Sequence, residues 1–442
     1  MCDYKLKDGK KCKEETLKGS KYCILHISYP EDRDSEEFER IAKLKEEKVK
    51  EKISKGDFNF EGVRLLNINF SGLKIDNDVN FTNAVVLKDV IFNNANIIGN
   101  VLFSGAVIDG DTVFDEAKIG TTVAFDKAKI GRDVSFNGAV IDGYAVFDGA
   151  VIGRDVSFSR AVIDGNAVFD GAEIGGDTVF NEAKIGRDVS FDGAVIDRNA
   201  VFDGAVIGRD ISFSRATIGG NILFSRAVID GNAVFDGAKI GFTVVAFDEN
   251  KIGRYAGFTV LNIKGKLLFR DTIFKKPETE EEAFKVAVRA LERLGDREGA
   301  DYHFYRKMVA RRKQKKWIIR ISEWLIADAT CQYGTNFFKP LWIWLISVLV
   351  VFPFIYYFGN GIASSNPLFP LFRNPANSVK SVFSTEYFSI VTATTLGYGD
   401  LQPALTTIYH IPIFRVLAGL EAIFGTFMWV IFLTVFARKY MR

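Results

Sequence analysis

The chain of 442 residues is short of net charge, of cysteine and of long apolar runs. Its 57 Lys and Arg nearly balance 55 Asp and Glu, and the resulting +2 argues against dedicated nucleic-acid binding. No signal peptide precedes Cys2, so the first long apolar run is expected to serve as the anchor. That run, Leu341 to Phe358, is interrupted only by Ser347 and two tyrosines, and is about long enough to cross a ~30 Å hydrocarbon core. Ile411 to Ala437 is a second; there is no third, and no helix carries arginine at every third position.

What is present begins with a period. Phenylalanine recurs every eleven residues from Phe70 to Phe235, and a one-residue insertion then moves the next to Phe247. Such regularity means a solenoid. In Ala145-Val-Phe147-Asp-Gly-Ala150-Val-Ile152, small residues lie two before each large apolar one, so Ala145 and Phe147, or Ala150 and Ile152, point the same way on short strands. Asp-Gly, Ile-Gly and Arg-Asp steps supply corners. A helical alternative fits badly with so much Gly, Asp and β-branched residue. The Ala-x-Phe-x-x / Ala-x-Ile-x-x grammar resembles pentapeptide-repeat proteins, with one extra residue after every second pentad. The expected fold is a right-handed parallel β-helix around a phenylalanine ladder; two elevens would give a four-sided coil of about 22 residues stacked at ~4.8 Å, and the extra residue after every second pentad leaves the cross-section open. The repeats' Asp and Arg fall at regular corners as solvated side chains, so no enzyme active site is expected there. A charged helix within Glu31 to Lys55, with Phe38, Ile41, Leu44, Val49 and Ile53 on one side, is expected to cover one open end.

Between the apolar runs, Thr394 to Asp400 reads Thr-Thr-Leu-Gly-Tyr-Gly-Asp. A Thr-x-Gly-Tyr-Gly pentad suits a backbone-carbonyl filter for potassium, because its glycines accept left-handed dihedrals and let successive carbonyls turn toward one axis. The preceding Tyr387 to Thr394 is expected to be a short helix whose C-terminal partial charge faces a waiting cation. Ser384 to Pro403 closely resembles the pore signature of tetrameric potassium channels. The resemblance implies an all-α two-span pore with a re-entrant loop, closed by four identical chains. It places K+ on the carbonyls of Thr395, Leu396, Gly397 and Tyr398, with the Thr395 hydroxyl closing the innermost site and Gly399 completing the filter. It also implies support from Tyr387, whose hydroxyl would meet Asp400. Val391 stands where some relatives carry a buried acid, so the brace behind the filter is expected to be thin. The spacing from Arg415 to Gly425 resembles that between the basic residue opening an inner helix and its hinge glycine; Gly425 is taken as the hinge, ahead of Gly419, with close helix packing as the other use of glycine. Glu421 lies inside the second span, where a carboxyl should face protein or water.

Basic residues orient the spans. Gly359 to His410 holds only Arg373 and Lys380, whereas Arg311 to Lys316 precedes the first span and Arg438, Lys439 and Arg442 follow the second. Both termini are therefore expected in the cytoplasm of a multi-pass plasma-membrane protein. No voltage sensor of the usual kind is present, and the chain stops soon after the second span, so regulation is expected from the N-terminal side. There, Cys2, Cys12, Cys23 and His26 suit a closed tetrahedral zinc site; a disulfide is disfavoured in cytoplasm, and unliganded reduced cysteines are the alternative. Glu280 to Leu294 and Glu298 to Asp328 look helical, broken at Gly295-Asp296, and Ala287 to Asp301 resembles the linker before the pores of repeat-bearing channels. Trp317, Ile318, Ile321, Trp324 and Leu325 describe an interfacial helix, either an anchor or a lever.

The expected organisation is a zinc knuckle (1–28), a capping helix (29–56), the β-helix (57–275), a linker with the interfacial helix (276–338) and a pore domain (339–442). The expected function is passive potassium conduction by a homotetramer in a lipid bilayer. A cytoplasmic ligand or protein on the β-helix is a possible partner; nucleic acid is not. Two other classes stay open: a non-selective cation channel, against which Tyr398 speaks, and a scaffold whose solenoid binds a partner.

Overall fold

The computed structural model describes the chain apart from residues 242–244, 255, 258–261, 264, 365–381, 398–400, 405–406, 409–410 and 441–442. It divides into two compact units, Met1–His303 and Phe304–Arg442.

In the first unit the corner chemistry repeats after each ladder phenylalanine from Phe70 to Phe213. The residue two positions on has positive φ, as at Gly138 (φ 67) and Gly149 (φ 61), and the next N–H returns to the phenylalanine carbonyl, as from Ala139 to Phe136 at 3.1 Å. These are type II turns, whose third position demands φ above zero. Glu116, Lys127 and Arg160 hold the same dihedral without being glycine, at roughly 1–2 kcal/mol each, so the stack imposes the turn on them.

Between corners lie two-residue strands, from β1 (Arg64–Leu65) to β39 (Ile273–Phe274), many with one side chain in and one out, as at Val134–Ser135. They form four parallel sheets, three of ten strands and one of nine, which settles the cross-section as four-sided. One coil is 22 residues: the Asp155 N–H reaches the Asp133 side chain that far back at 3.0 Å. The insertion before Phe247 lengthens one coil, so that Ile222 faces Val245 and Ala233 faces Ala256.

The phenylalanines form two columns. Phe136 stacks on Phe158 at 4.9 Å, Phe147 stacks on Phe169 at 4.8 Å, and Phe147 meets Phe158 edge-on at 6.0 Å and 87°. All from Phe81 to Phe247 are fully buried, and each pair adds about 0.5–1.5 kcal/mol beyond burial.

Both ends of this core are covered. At the start lies α1 (Glu36–Ser54), capped by Ser35 accepting from the Phe38 N–H, with Phe38 and Ile41 buried and Val49 and Ile53 packed against the core. Its face also buries Lys45, whose Nζ donates to the Ile27 carbonyl at 2.6 Å and the Arg64 carbonyl at 2.5 Å. At the far end, α2 (Pro277–Arg293) lays Ala283, Phe284 and Ala287 on the ladder's last rings, Phe269 and Phe274. The sequence marks α2 only as linker; it is the second cap. The joint at Gly295-Asp296 is braced: Asp296 pairs with Lys266 at 2.6 Å and accepts from Gly299 N–H at 3.0 Å, opening α3 (Arg297–Lys313). His303 Nε2 accepts from the Phe269 N–H at 3.0 Å, so the solenoid unit extends through His303.

In the second unit the helix expected to reach Asp328 breaks after Lys313, and α4 (Trp317–Glu323) leads into a wide turn over Trp324–Asp328. Trp317, Ile318, Trp324 and Leu325 are exposed, whereas Arg312 pairs with Asp328 at 2.6 Å. Two helices follow that are long and apolar enough to cross a membrane, α5 (Phe338–Gly359) and, after α6 (Val382–Ala393), α7 (Ile413–Tyr440).

Candidate functional site

The pentad begins where α6 ends. Thr395 N–H donates to the Thr392 carbonyl and Leu396 N–H to the Val391 carbonyl, both at 3.1 Å, with Thr395 at φ 58. This is a Schellman closure, which needs a left-handed residue just past the helix. Threonine is β-branched and pays for that conformation, and strain of this kind gathers at functional segments. The sequence assigns left-handed dihedrals to the two glycines; Gly397 has one (φ 59), and Thr395 is the addition. The Thr395 Oγ1 donates to the Thr394 carbonyl at 2.7 Å, and Thr395, Leu396 and Gly397 are exposed on the single chain. Tyr398, Gly399 and Asp400 lie outside the described residues, so the expected Tyr387–Asp400 bond does too, as do Arg373, Lys380 and Arg442 of the orientation argument.

Several elements surround α6 and the pentad. Tyr387, Val391, Thr395, Gly397 and Ala422 line one cavity of about 310 Å³. Leu401–Pro403, just after the pentad, pairs antiparallel with Ile362–Ser364, which follows α5. Gly425 of α7 is buried against the last turn of α6 and lies within an unbroken helix. Glu421 also faces protein: Tyr356 of α5 donates to one carboxyl oxygen at 2.7 Å, and Ser389 of α6 lies within hydrogen-bond reach of the other. A buried acid therefore reaches α6 from α7, and it meets Ser389 and Tyr356 rather than the pentad. Arg438, at the end of α7, stacks over Phe304 at 4.8 Å and reaches the Tyr333 carbonyl at 3.5 Å, so the residues before α5 touch α7 directly.

The second constellation is N-terminal. Cys2, Cys12, Cys23 and His26 are all buried, with their ligand atoms within 4.8 Å of one another. His26 Nδ1 lies 3.1 Å from Cys23 Sγ and 3.5 Å from Cys2 Sγ. The other ring nitrogen donates to the Glu61 carbonyl at 2.9 Å, which turns an unprotonated Nδ1 toward the sulfurs, and Tyr4 stacks on the ring at 4.1 Å. Burial pushes the Cys23 thiol up to about 12, raises Cys12 and lowers His26. Three sulfurs and one nitrogen around a tetrahedral ion stand ~3.5–3.8 Å apart, given Zn–S near 2.3 Å, so the donor set fits zinc. The sequence names these four ligands but neither Glu61, which orients His26, nor Tyr4.

Residues 343–442 match the ion channel family, and overlapping segments from 92–140 to 191–239 match the pentapeptide repeats family. No curated protein and no solved structure matches the chain significantly.

Proposed function

We propose that this chain, an ion-channel domain preceded by a pentapeptide-repeat solenoid, is a homotetrameric potassium-selective channel. The observation that carries the reading is the Thr395-Leu-Gly-Tyr-Gly399 pentad at the C-terminus of a short helix, between two span-length helices. Carbonyls of Thr395, Leu396, Gly397 and Tyr398 from four chains replace the hydration shell of K+. One chain supplies a quarter of that ring, and the 61% exposure of Leu396 agrees with further copies closing around it. Tyr387 and Asp400 support the filter from outside, and Gly425 seats the inner helix α7 on the pore helix α6.

The protein lies in the plasma membrane with both termini cytoplasmic. Zinc, held by Cys2, Cys12, Cys23 and His26, would supply the folding energy of a segment too poor in apolar residues to order itself. Control enters from the solenoid, which moves as a body because its coils repeat regularly, with a single one-residue insertion before Phe247. Arg438 gives it a route to the inner helix besides the one through the outer helix α5. The test is ion flux in proteoliposomes loaded with potassium or sodium. Potassium flux should dominate and Tyr398→Asp should weaken the preference; equal fluxes in the unaltered protein would refute potassium selectivity, and no flux would favour a scaffold.

A further inference from the structure

We propose that Glu421 is a neutral carboxylic acid that bolts the pore helix to both spans, making it a positioning residue for the filter. The proposal rests on the channel reading above for its consequence, but not for its chemistry.

That chemistry follows from counting protons. In α5 the stretch Ser347–Val351 is a wide turn, closed by the Phe352 N–H donating to the Ser347 carbonyl. The next donor that could serve the Val348 carbonyl is position 353, which is proline and has no N–H. Inside a membrane an orphan carbonyl must find a partner in the protein. Ser389 Oγ, 2.7 Å away, is that partner. A hydroxyl has one proton, and a carbonyl cannot donate, so the proton of Ser389 is committed to Val348. The same Ser389 oxygen also lies within hydrogen-bond reach of Glu421 Oε1. Two acceptors cannot bond without a proton between them, so this one must be carried by the carboxyl. Tyr356 donates to Oε2 at 2.7 Å, which leaves Oε1 to carry it.

With Glu421 protonated, one chain of bonds runs from Tyr356 through Glu421 and Ser389 to Val348, every group satisfied. With it ionised, either the Val348 carbonyl is orphaned or the Ser389 oxygen faces a carboxylate with nothing between. All four residues are at most 1% exposed. Among the described residues, the side chains within hydrogen-bond reach of the carboxyl are Ser389 and Tyr356. The bolt is placed to matter: Ser389 lies one helical turn before Ala393, and Glu421 one turn before Gly425, so α7 grips α6 at two successive turns, just behind Thr395.

Glutamine is the discriminating substitution, since its carbonyl can accept from Tyr356 and its amide can donate to Ser389. Full-length protein reconstituted in bilayers should carry potassium current within about twofold of the unaltered channel as E421Q, while E421A and E421D, which cannot bridge, should lose roughly tenfold or more. Infrared difference spectroscopy of unaltered protein against E421Q supplies a readout independent of conduction, and should show the carbonyl stretch of a protonated carboxylic acid. Only carboxylate bands in that difference, E421Q as impaired as E421A in an intact tetramer, or E421A equal to the unaltered channel would each overturn the proposal. Failure of the channel reading would appear instead in the unaltered protein's flux, with the infrared band unchanged.

Discussion

Gly425 of the inner helix lies directly against the carbonyl of Ala393 on the pore helix: a Cβ at Gly425 would stand 2.3 Å from that oxygen. The neighbouring candidate, Gly419, has open space in the same direction. Alanine normally favours a helix over glycine by about 1 kcal/mol, so Gly419→Ala should be neutral to stabilising. Gly425→Ala should instead lower the melting temperature of the protein and reduce current, because backbone cannot yield as a flexible side chain can. A hinge acting alone would change open probability and leave the melting temperature where it was.

The phenylalanine ladder should fail locally. Phe158 stacks on Phe136 and Phe180 and meets Phe147 and Phe169 edge-on. Phe158→Ala should cost about 3–5 kcal/mol, as large-to-small core changes do. Because each coil touches only its neighbours, hydrogen exchange should rise in the flanking coils and stay low near Phe81 and Phe269. Uniform loss of protection along the whole solenoid would show a more cooperative unit than its repeat contacts imply.

Metal analysis of protein purified without chelator should find one zinc per chain, and none after Cys23→Ser. Burial pushes the metal-free Cys23 thiol up to about 12 and raises Cys12, so at neutral pH both thiols hold protons that zinc must displace to bind. Affinity should therefore fall as pH falls, with more than one proton released per zinc by calorimetry in buffers of different ionisation enthalpy. Binding without proton release would argue against thiolate ligands.

Arg438 ties the end of the inner helix to Phe304 and the Tyr333 carbonyl. Arg438→Gln should alter open probability and leave ion preference untouched, since the contact is remote from the filter in sequence and made by α7's last turn. Unchanged gating would return the route of control to the outer helix alone.

Features set by local spacing were legible in the sequence. The eleven-residue period announces a β-helix because each corner and inward residue is fixed by its immediate neighbours; its four-sided cross-section came only from the four sheets. The pentad, the two spans and the Cys2, Cys12, Cys23 and His26 set carry their chemistry in residue type and order. What escaped depends on meetings between distant segments. Nothing local to Ser389 announces Val348 or Glu421, 41 and 32 residues away. Lys45 reads as one more charge on a charged helix until Ile27 and Arg64 present carbonyls to it. Helix α2 looks like a linker because the rings that receive Phe284 belong to the solenoid's last coil. Thr395 escaped for a different reason: its left-handed dihedral is dictated by the helix closing before it, against its own preference.

The central claim is potassium selectivity, and the bi-ionic reversal potential of the full-length channel, with potassium on one side of a planar bilayer and sodium on the other, tests it most directly. A filter of carbonyls from Thr395 to Tyr398 predicts a reversal potential displaced far toward that of potassium. A reversal potential at zero, with current flowing, would contradict the account.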